Sequence, residues 1–235
     1  MTDHKVVSQQ EWLAARQEHL AKEKAFTRAR DELVQHRQQM PWVRVEKDYR
    51  FAGPDGEESL LDLFGGHSQL IVQHFMLGPG WDEGCPMCSF WGDNLNGVSV
   101  HMAHRDISLV AVSRGELETI EAYKQRMGWD FKWVSSFGSD FNFDFHVSFT
   151  DAEMAQGKVH YNYRETTFPS SEGPGVSVFY RNEQNEIFHT YSCYSRGLDN
   201  LNGAYHYIDL TPKGRDEKDL PYPMAWVRRH DQYDA

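Results

Sequence analysis

The chain has 235 residues, of which 40% are hydrophobic, 14% aromatic and 25% charged, so it is not an intrinsically disordered chain of low hydrophobicity. A formal net charge of −11 argues against DNA or RNA as a partner, because proteins that bind them need clustered Lys and Arg. Three cysteines are too few for the disulfide framework of a secreted protein of this size.

We expect neither a signal peptide nor a membrane span. Residues 1–5 lack the apolar core of a signal peptide, and no apolar run approaches the ~18 residues that a membrane span needs. We therefore expect a soluble, cytoplasmic protein with no membrane partner.

The first predicted element is helical. Ser8-Gln9-Gln10-Glu11 has the form of a capping box, which marks a helix start. A narrow apolar stripe then runs from Trp12 to Val34, and Pro41 ends the pattern. We predict one or two helices over residues 8–39. This N-terminal helical extension, residues 1–40, is expected to pack on the remaining domain or on a second copy of the chain. The second arrangement would make a homodimer.

Residues 41–235 are predicted to form the main domain, which begins with short apolar runs separated by Gly and Pro. The turn signal at residues 51–56 predicts a β-hairpin. Residues 60–64 predict a helical turn ended by two glycines, and residues 69–76 a buried central strand. This strand leads to the pair Cys85 and Cys88.

The order of elements after this pair indicates an α/β fold. A helix is predicted from Cys88 to about residue 104, a strand over residues 107–112, a helix over residues 114–127 and a strand over residues 131–134. The sequence β, Cys-x-x-Cys, α, β, α, β is typical of doubly wound sheets. We predict a thioredoxin-like fold, a central mixed sheet flanked by helices.

The last hundred residues give a mixed pattern. Phenylalanines alternate with polar residues over residues 141–149, which predicts a half-buried strand or extended segment. Residues 150–173 look like an inserted loop, and the whole insertion is placed at about residues 135–173. Residues 176–180 and 187–194 predict a hairpin, followed by a polar tail.

The Cys85-Pro86-Met87-Cys88 motif is the candidate catalytic site. At a helix start, unpaired N–H groups and the helix dipole stabilise a thiolate, so Cys85 is the expected nucleophile. Cys88, one helical turn later, would resolve the mixed disulfide. The acidic Asp82 and Glu83 just before the motif would oppose this by raising the pKa of Cys85.

Three further residues are expected to bind substrate. Pro86 suits the first helical position, where its missing N–H costs nothing. Trp81 could shield the dithiol or simply pack in the core. Pro174, just before a strand, could be a cis-proline facing the dithiol, although an ordinary trans proline fits the sequence as well.

Other interpretations of the cysteines stay open from sequence alone. Two reduced thiols can simply fill core space. A thioredoxin-fold metal carrier would need further ligands, for which Cys193, His101 and His104 are available, but no second Cys-x-x-Cys exists. A non-catalytic binding module is the third alternative. We predict no metal site and no cofactor, and we interpret Cys193 as a packed core thiol.

The chain also resembles a family of bacterial thioredoxin-like proteins of uncharacterised function, described as predicted dithiol-disulfide oxidoreductases. The similar stretches cover nearly the whole chain: residues 74–76, 84–89, 105–106, 127–129, 138–142, 191–192, 196–199 and 226–231. The resemblance implies a thioredoxin fold. Dithiol chemistry at Cys85 and Cys88 would take a disulfide-containing protein or small molecule as substrate and a thiol reductant as second partner.

A more distant resemblance links residues 49–134 to peroxiredoxins. Those enzymes carry a Thr three residues before the reactive cysteine, whereas this chain has Asp82 there, which counts against peroxidase chemistry. The proline directly after the first cysteine is similar to that of glutaredoxins. The function predicted is therefore thiol-disulfide exchange through the Cys85 and Cys88 dithiol.

Overall fold

The computed structural model describes residues 4–233 and divides the chain into two compact units, with the boundary between Pro41 and Trp42. The first unit holds one continuous helix, α1 (Gln9–Gln38). The predicted capping box is confirmed, since the Ser8 side chain accepts from the Glu11 N–H while the Glu11 carboxylate accepts from the Ser8 N–H. No residue of α1 is buried. The packing of α1 on a second subunit stays a prediction.

The second unit is built on a mixed sheet whose strands lie in the order β1-β10-β9-β4-β5-β6-β2-β3, with a separate hairpin β7-β8. The strands are β1 (Val43–Arg44), β2 (Arg50–Gly53), β3 (Gly56–Ser59), β4 (Gln69–His74), β5 (Ile107–Ser113), β6 (Lys132–Ser135), β7 (Val159–Tyr161), β8 (Arg164–Thr166), β9 (Gly175–Arg181) and β10 (Ile187–Tyr194). The helices are α2 (Pro86–Leu95), α3 (Ser99–Ala103), α4 (Leu117–Arg126), α5 (Phe141–Asp144), α6 (Asp151–Gln156) and α7 (Gly203–Ile208). Short 3₁₀ helices cover Asp62–Phe64, Ser195–Leu201 and His230–Gln232.

The strand directions give a thioredoxin-like α/β topology. Strands β4, β5 and β6 are parallel, joined by crossovers that contain α2, α3 and α4. The chain then returns to the other side of β4 as the antiparallel hairpin β9-β10. The predicted fold class, a central mixed sheet flanked by helices with an N-terminal helical extension, is confirmed. Strand β4, which leads to the dithiol, therefore lies inside the sheet.

The strands separate two cores because successive side chains point to opposite faces of a sheet. On β5, Val110 and Val112 belong to one core, whereas Ala111 belongs to the other. The second core contains both cysteines of the motif and a dense aromatic cluster: Phe75, Tyr123, Trp129, Phe131 and Trp133. The dithiol thus packs against these aromatic side chains in the second core.

The alternating phenylalanines were a misleading pattern. The structure places α5 where a strand or extended segment was predicted, and Phe141 and Phe145 lie one helical turn apart with ring centroids separated by 4.8 Å. Both rings are buried in the first core. Buried side chains four residues apart satisfy a helix as well as a strand, so the period-2 interpretation is wrong here.

Two other predictions need correction. The helix predicted to run to residue 104 is two helices, α2 and α3, interrupted near Gly97, whose φ of 83° cannot continue a helix. Residues 150–173 are not a plain loop, because they contain α6 and the hairpin β7-β8. A second capping box, Thr150 with Glu153, starts α6. Within residues 4–233, the structure contains no helix with an apolar stretch long enough to span a bilayer.

Candidate active site

The dithiol lies at the start of α2, beyond the carboxyl end of β4. Cys85 is the N-cap residue, and Pro86 occupies the first helical turn, where a missing N–H leaves no hydrogen bond unmade. All three cysteines are thiols in this structure. The expected placement of the motif between a central strand and a helix is therefore what the structure shows.

The backbone of one residue, Met76, contacts both cysteines. The N–H of Cys85 donates to the carbonyl oxygen of Met76 at 3.0 Å, and the N–H of Met76 donates to the Cys88 Sγ at 3.5 Å. Met76 lies two residues after the end of β4, so the loop that leaves the central strand contacts both sulfur-bearing residues.

The two cysteines differ in burial and in proton affinity. Cys85 is 8% exposed and Cys88 is fully buried. The neighbouring Cys88 thiol, with help from the N–H groups of Cys88 and Met87 and from Arg229, lowers the pKa of Cys85 to about 7, against the opposing effect of burial. Burial raises the pKa of Cys88 well above its usual range. At neutral pH a substantial fraction of Cys85 is therefore thiolate, whereas Cys88 is a thiol.

The start of α2 contributes to the lowered pKa of Cys85 through weak contacts. The Cys85 side chain makes no complete capping hydrogen bond, yet the first-turn N–H groups of Met87 and Cys88 lie close enough to lower its pKa. Unpaired N–H groups at a helix N-terminus favour negative charge in this way.

The acidic residues before the motif are partly neutralised. Glu83 bonds to Arg126 Nη1 at 2.6 Å and to Arg229 Nη1 at 2.8 Å. Asp82 is exposed, where water screens its charge. The two arginines therefore weaken the expected rise in the pKa of Cys85 caused by these carboxylates. No pattern in the sequence connects either arginine to the motif.

A buried hydroxyl network lies beneath Cys85. The Ser89 Oγ donates to the Cys85 carbonyl oxygen at 2.9 Å and lies 2.7 Å from the Tyr123 Oη. Burial raises the pKa of Tyr123, while Ser89 and Arg229 act in the opposite direction. Neither Ser89 nor Tyr123 was a sequence candidate, although Ser89 follows the motif directly.

The candidate substrate residues lie in two loops near the carboxyl end of β4. The Trp81 side chain is partly buried against the second core, and the Trp81 backbone N–H donates to the Gly78 carbonyl oxygen at 3.2 Å. Pro174 precedes β9, whose first residue, Gly175, pairs with His74 of β4. Its peptide bond is trans, which rejects the cis alternative. The Pro174 carbonyl oxygen accepts a 2.8 Å hydrogen bond from the Tyr161 Oη.

A buried carboxyl group adjoins the same loops. Glu172 is 1% exposed, accepts from the Ser148 Oγ and pairs with Arg114 Nη1 at 3.0 Å. Burial raises the pKa of Glu172 to about 7 despite these two partners. A Cβ at Gly78 would lie 3.1 Å from the Glu172 Cγ and 3.2 Å from the Trp81 Nε1, so Gly78 is needed for this close packing.

The metal alternative gains no support from the geometry. Cys193 lies on β10, half-buried and packed with the cluster of Trp91, Val176 and Leu198, as expected of a core thiol. His101 and His104 are exposed. Within residues 4–233, no three His, Cys, Asp or Glu side chains come together in a way that could hold a metal ion.

The sequence as a whole matches one family model. The family described as "Bacterial protein of unknown function (DUF899)" matches residues 1–233. The chain belongs to this family. The sequence has no significant match among curated proteins.

Solved structures similar to this member of the family include peroxiredoxins. A mutant of Xanthomonas campestris peroxiredoxin Q is 13% identical, covers 67% of this chain and 90% of its own, and gives a TM-score of 0.45. Peroxidoxin BcpB from Mycobacterium tuberculosis is 12% identical, covers 71% of this chain and 96% of its own, with a TM-score of 0.41. The fold is assigned from the strand order and crossovers described above.

Proposed function

We propose that the protein is a thiol-disulfide oxidoreductase that reduces or exchanges disulfides through Cys85 and Cys88. One observation carries this proposal: a cysteine of lowered pKa at a helix N-cap, with a protonated cysteine one helical turn away. A thiolate is the form of cysteine that attacks disulfides, and a neighbouring thiol is what a mixed disulfide needs for release.

The reaction proceeds in two exchanges. The Cys85 thiolate attacks one sulfur of a substrate disulfide, the S–S bond breaks, and the departing thiolate takes a proton. Cys88 then loses its proton and attacks the Cys85 Sγ, which releases the second substrate sulfur as a thiol. The substrate gains two electrons and two protons, and the enzyme is left with a Cys85–Cys88 disulfide that a thiol reductant returns to the dithiol.

The division of roles follows from burial and proton affinity. Cys88 is fully buried and holds its proton, so it is a poor first nucleophile. Cys85 retains the small exposed fraction that an incoming disulfide needs. We propose that Trp81, Pro86 and Pro174 contact the substrate, a disulfide-containing protein or small molecule. A reducing compartment such as the cytoplasm would keep the resting enzyme in the dithiol form.

Insulin reduction driven by dithiothreitol tests the proposal. The wild-type protein is expected to shorten the lag before the released insulin chain precipitates, in proportion to its concentration. The Cys193→Ser variant is the matched control and should behave like wild type, because Cys193 packs in a different cluster. A wild-type lag equal to that of dithiothreitol alone would contradict the proposal.

A further inference from the structure

The carboxyl-terminal segment, residues 226–231, reaches back to the dithiol loop. The Arg229 side chain, 11% exposed, donates to the Gly84 carbonyl oxygen from Nε at 3.0 Å and from Nη2 at 2.6 Å. Its Nη1 bonds to the Glu83 Oε1 at 2.8 Å. One guanidinium therefore bonds to both residues that directly precede Cys85. Arg229 lies 145 residues after Gly84 in the chain.

The segment is anchored on both sides of this arginine. Asp231 pairs with Arg126 Nε at 2.7 Å, and Arg126 in turn bonds to Glu83. His230 bonds to Asp93 of α2 at 2.6 Å. Before the arginine, Val227 is buried. These contacts come from α2, α4 and the dithiol loop, so the segment is held against the elements that surround Cys85.

We infer that Arg229 is a positioning residue for Cys85: it fixes the Gly84 carbonyl, offsets Glu83 and stabilises the negative charge on the Cys85 sulfur. This inference rests on the proposed function and adds the control of that site by the carboxyl-terminal segment. A guanidinium suits the role because its planar fork holds one geometry and keeps its charge at any physiological pH.

The other charged and titratable groups near Cys85 do not replace it. Cys88 is a thiol at neutral pH, and Tyr123 carries a raised pKa, so both are neutral. Asp82 and Glu83 are acidic. Arg126 bonds to Glu83 and Asp231, whose carboxylates offset its charge. The charge of Arg229, in contrast, favours the thiolate of Cys85.

The test is the pH dependence of Cys85 alkylation by iodoacetamide in the full-length chain, read from the Cys85 peptide by mass spectrometry. Arg229→Gln is expected to move the midpoint upward by a few tenths of a pH unit and to slow alkylation at pH 7 by up to about two-fold. Arg229→Lys keeps the charge but loses the fork, so its midpoint should lie between the two. Arg228→Gln is the matched control, because the exposed Arg228 guanidinium donates to the carbonyl oxygens of Ala225 and Val227, away from the dithiol loop.

An unchanged midpoint in Arg229→Gln, or an equal shift in Arg228→Gln, would overturn the inference. Arg229→Lys keeps the test valid if Arg229→Gln does not fold, since a midpoint equal to wild type would also overturn the role of the fork. The readout needs no disulfide substrate, so it separates this inference from the proposed function. If the wild-type protein fails to reduce insulin but Arg229→Gln still shifts the alkylation midpoint, the proposed function is rejected and the inference about Arg229 stands.

Discussion

In the Cys85→Ser variant, the rate of insulin reduction is expected to fall to that of dithiothreitol alone. A serine hydroxyl does not ionise near neutral pH and cannot form the mixed disulfide, so the first exchange is lost rather than slowed. The variant should still fold, because the N-cap position accepts serine and the Cys85 N–H bond to Met76 belongs to the backbone.

The outcome is measured against wild type and Cys193→Ser at equal concentration, with circular dichroism to show that the fold is kept. Activity in Cys85→Ser equal to that of wild type would mean that another group performs the reaction. In that case the low pKa of Cys85 would have no catalytic use.

Cys88→Ser should stop the reaction half-way. Cys85 can still attack, but no buried thiol remains to release the substrate, so the mixed disulfide accumulates. Mixing the variant with oxidised glutathione is expected to give close to one glutathione adduct per chain, located at Cys85, together with loss of sustained turnover.

The same mixture with wild type should show little adduct, because Cys88 releases it. Cys85→Ser is the second control and should show no adduct at this position. Sustained turnover by Cys88→Ser equal to that of wild type would contradict the assignment of Cys88 as the resolving thiol, since release would then not depend on it.

Much of the fold could be predicted because its signals are local. The buried strand before the motif, the hairpin β9-β10 and the capping box at Ser8 each follow from patterns within a few residues. The placement of Cys85 at a helix start likewise follows from a strand, a turn and Pro86. These elements needed no information about distant contacts.

The failures have a common physical cause, which is tertiary contact. Alternation at Phe141 and Phe145 suits a strand, but packing of both rings into one core selects the helix α5. The carboxyl-terminal segment looked like a polar tail, yet Arg229 contacts Gly84. Spacing along the chain carries no record of a contact between such distant residues.

The electrostatic balance at the dithiol shows the same limit. Asp82 and Glu83 stand beside the motif and suggest a raised pKa for Cys85. In the structure Glu83 is paired with Arg126 and Arg229, and the pKa of Cys85 is lowered. Neighbouring charges can be predicted from the sequence, but their partners cannot.

The most direct test of the account is the fate of the three thiols when the reduced protein meets a stoichiometric disulfide. After reaction with one equivalent of oxidised glutathione and alkylation of the remaining thiols, peptide mapping should find Cys85 joined to Cys88, with Cys193 alkylated. Two glutathione thiols should be released per disulfide formed. Cys85 and Cys88 both recovered as alkylated thiols, with no glutathione released, would contradict the account.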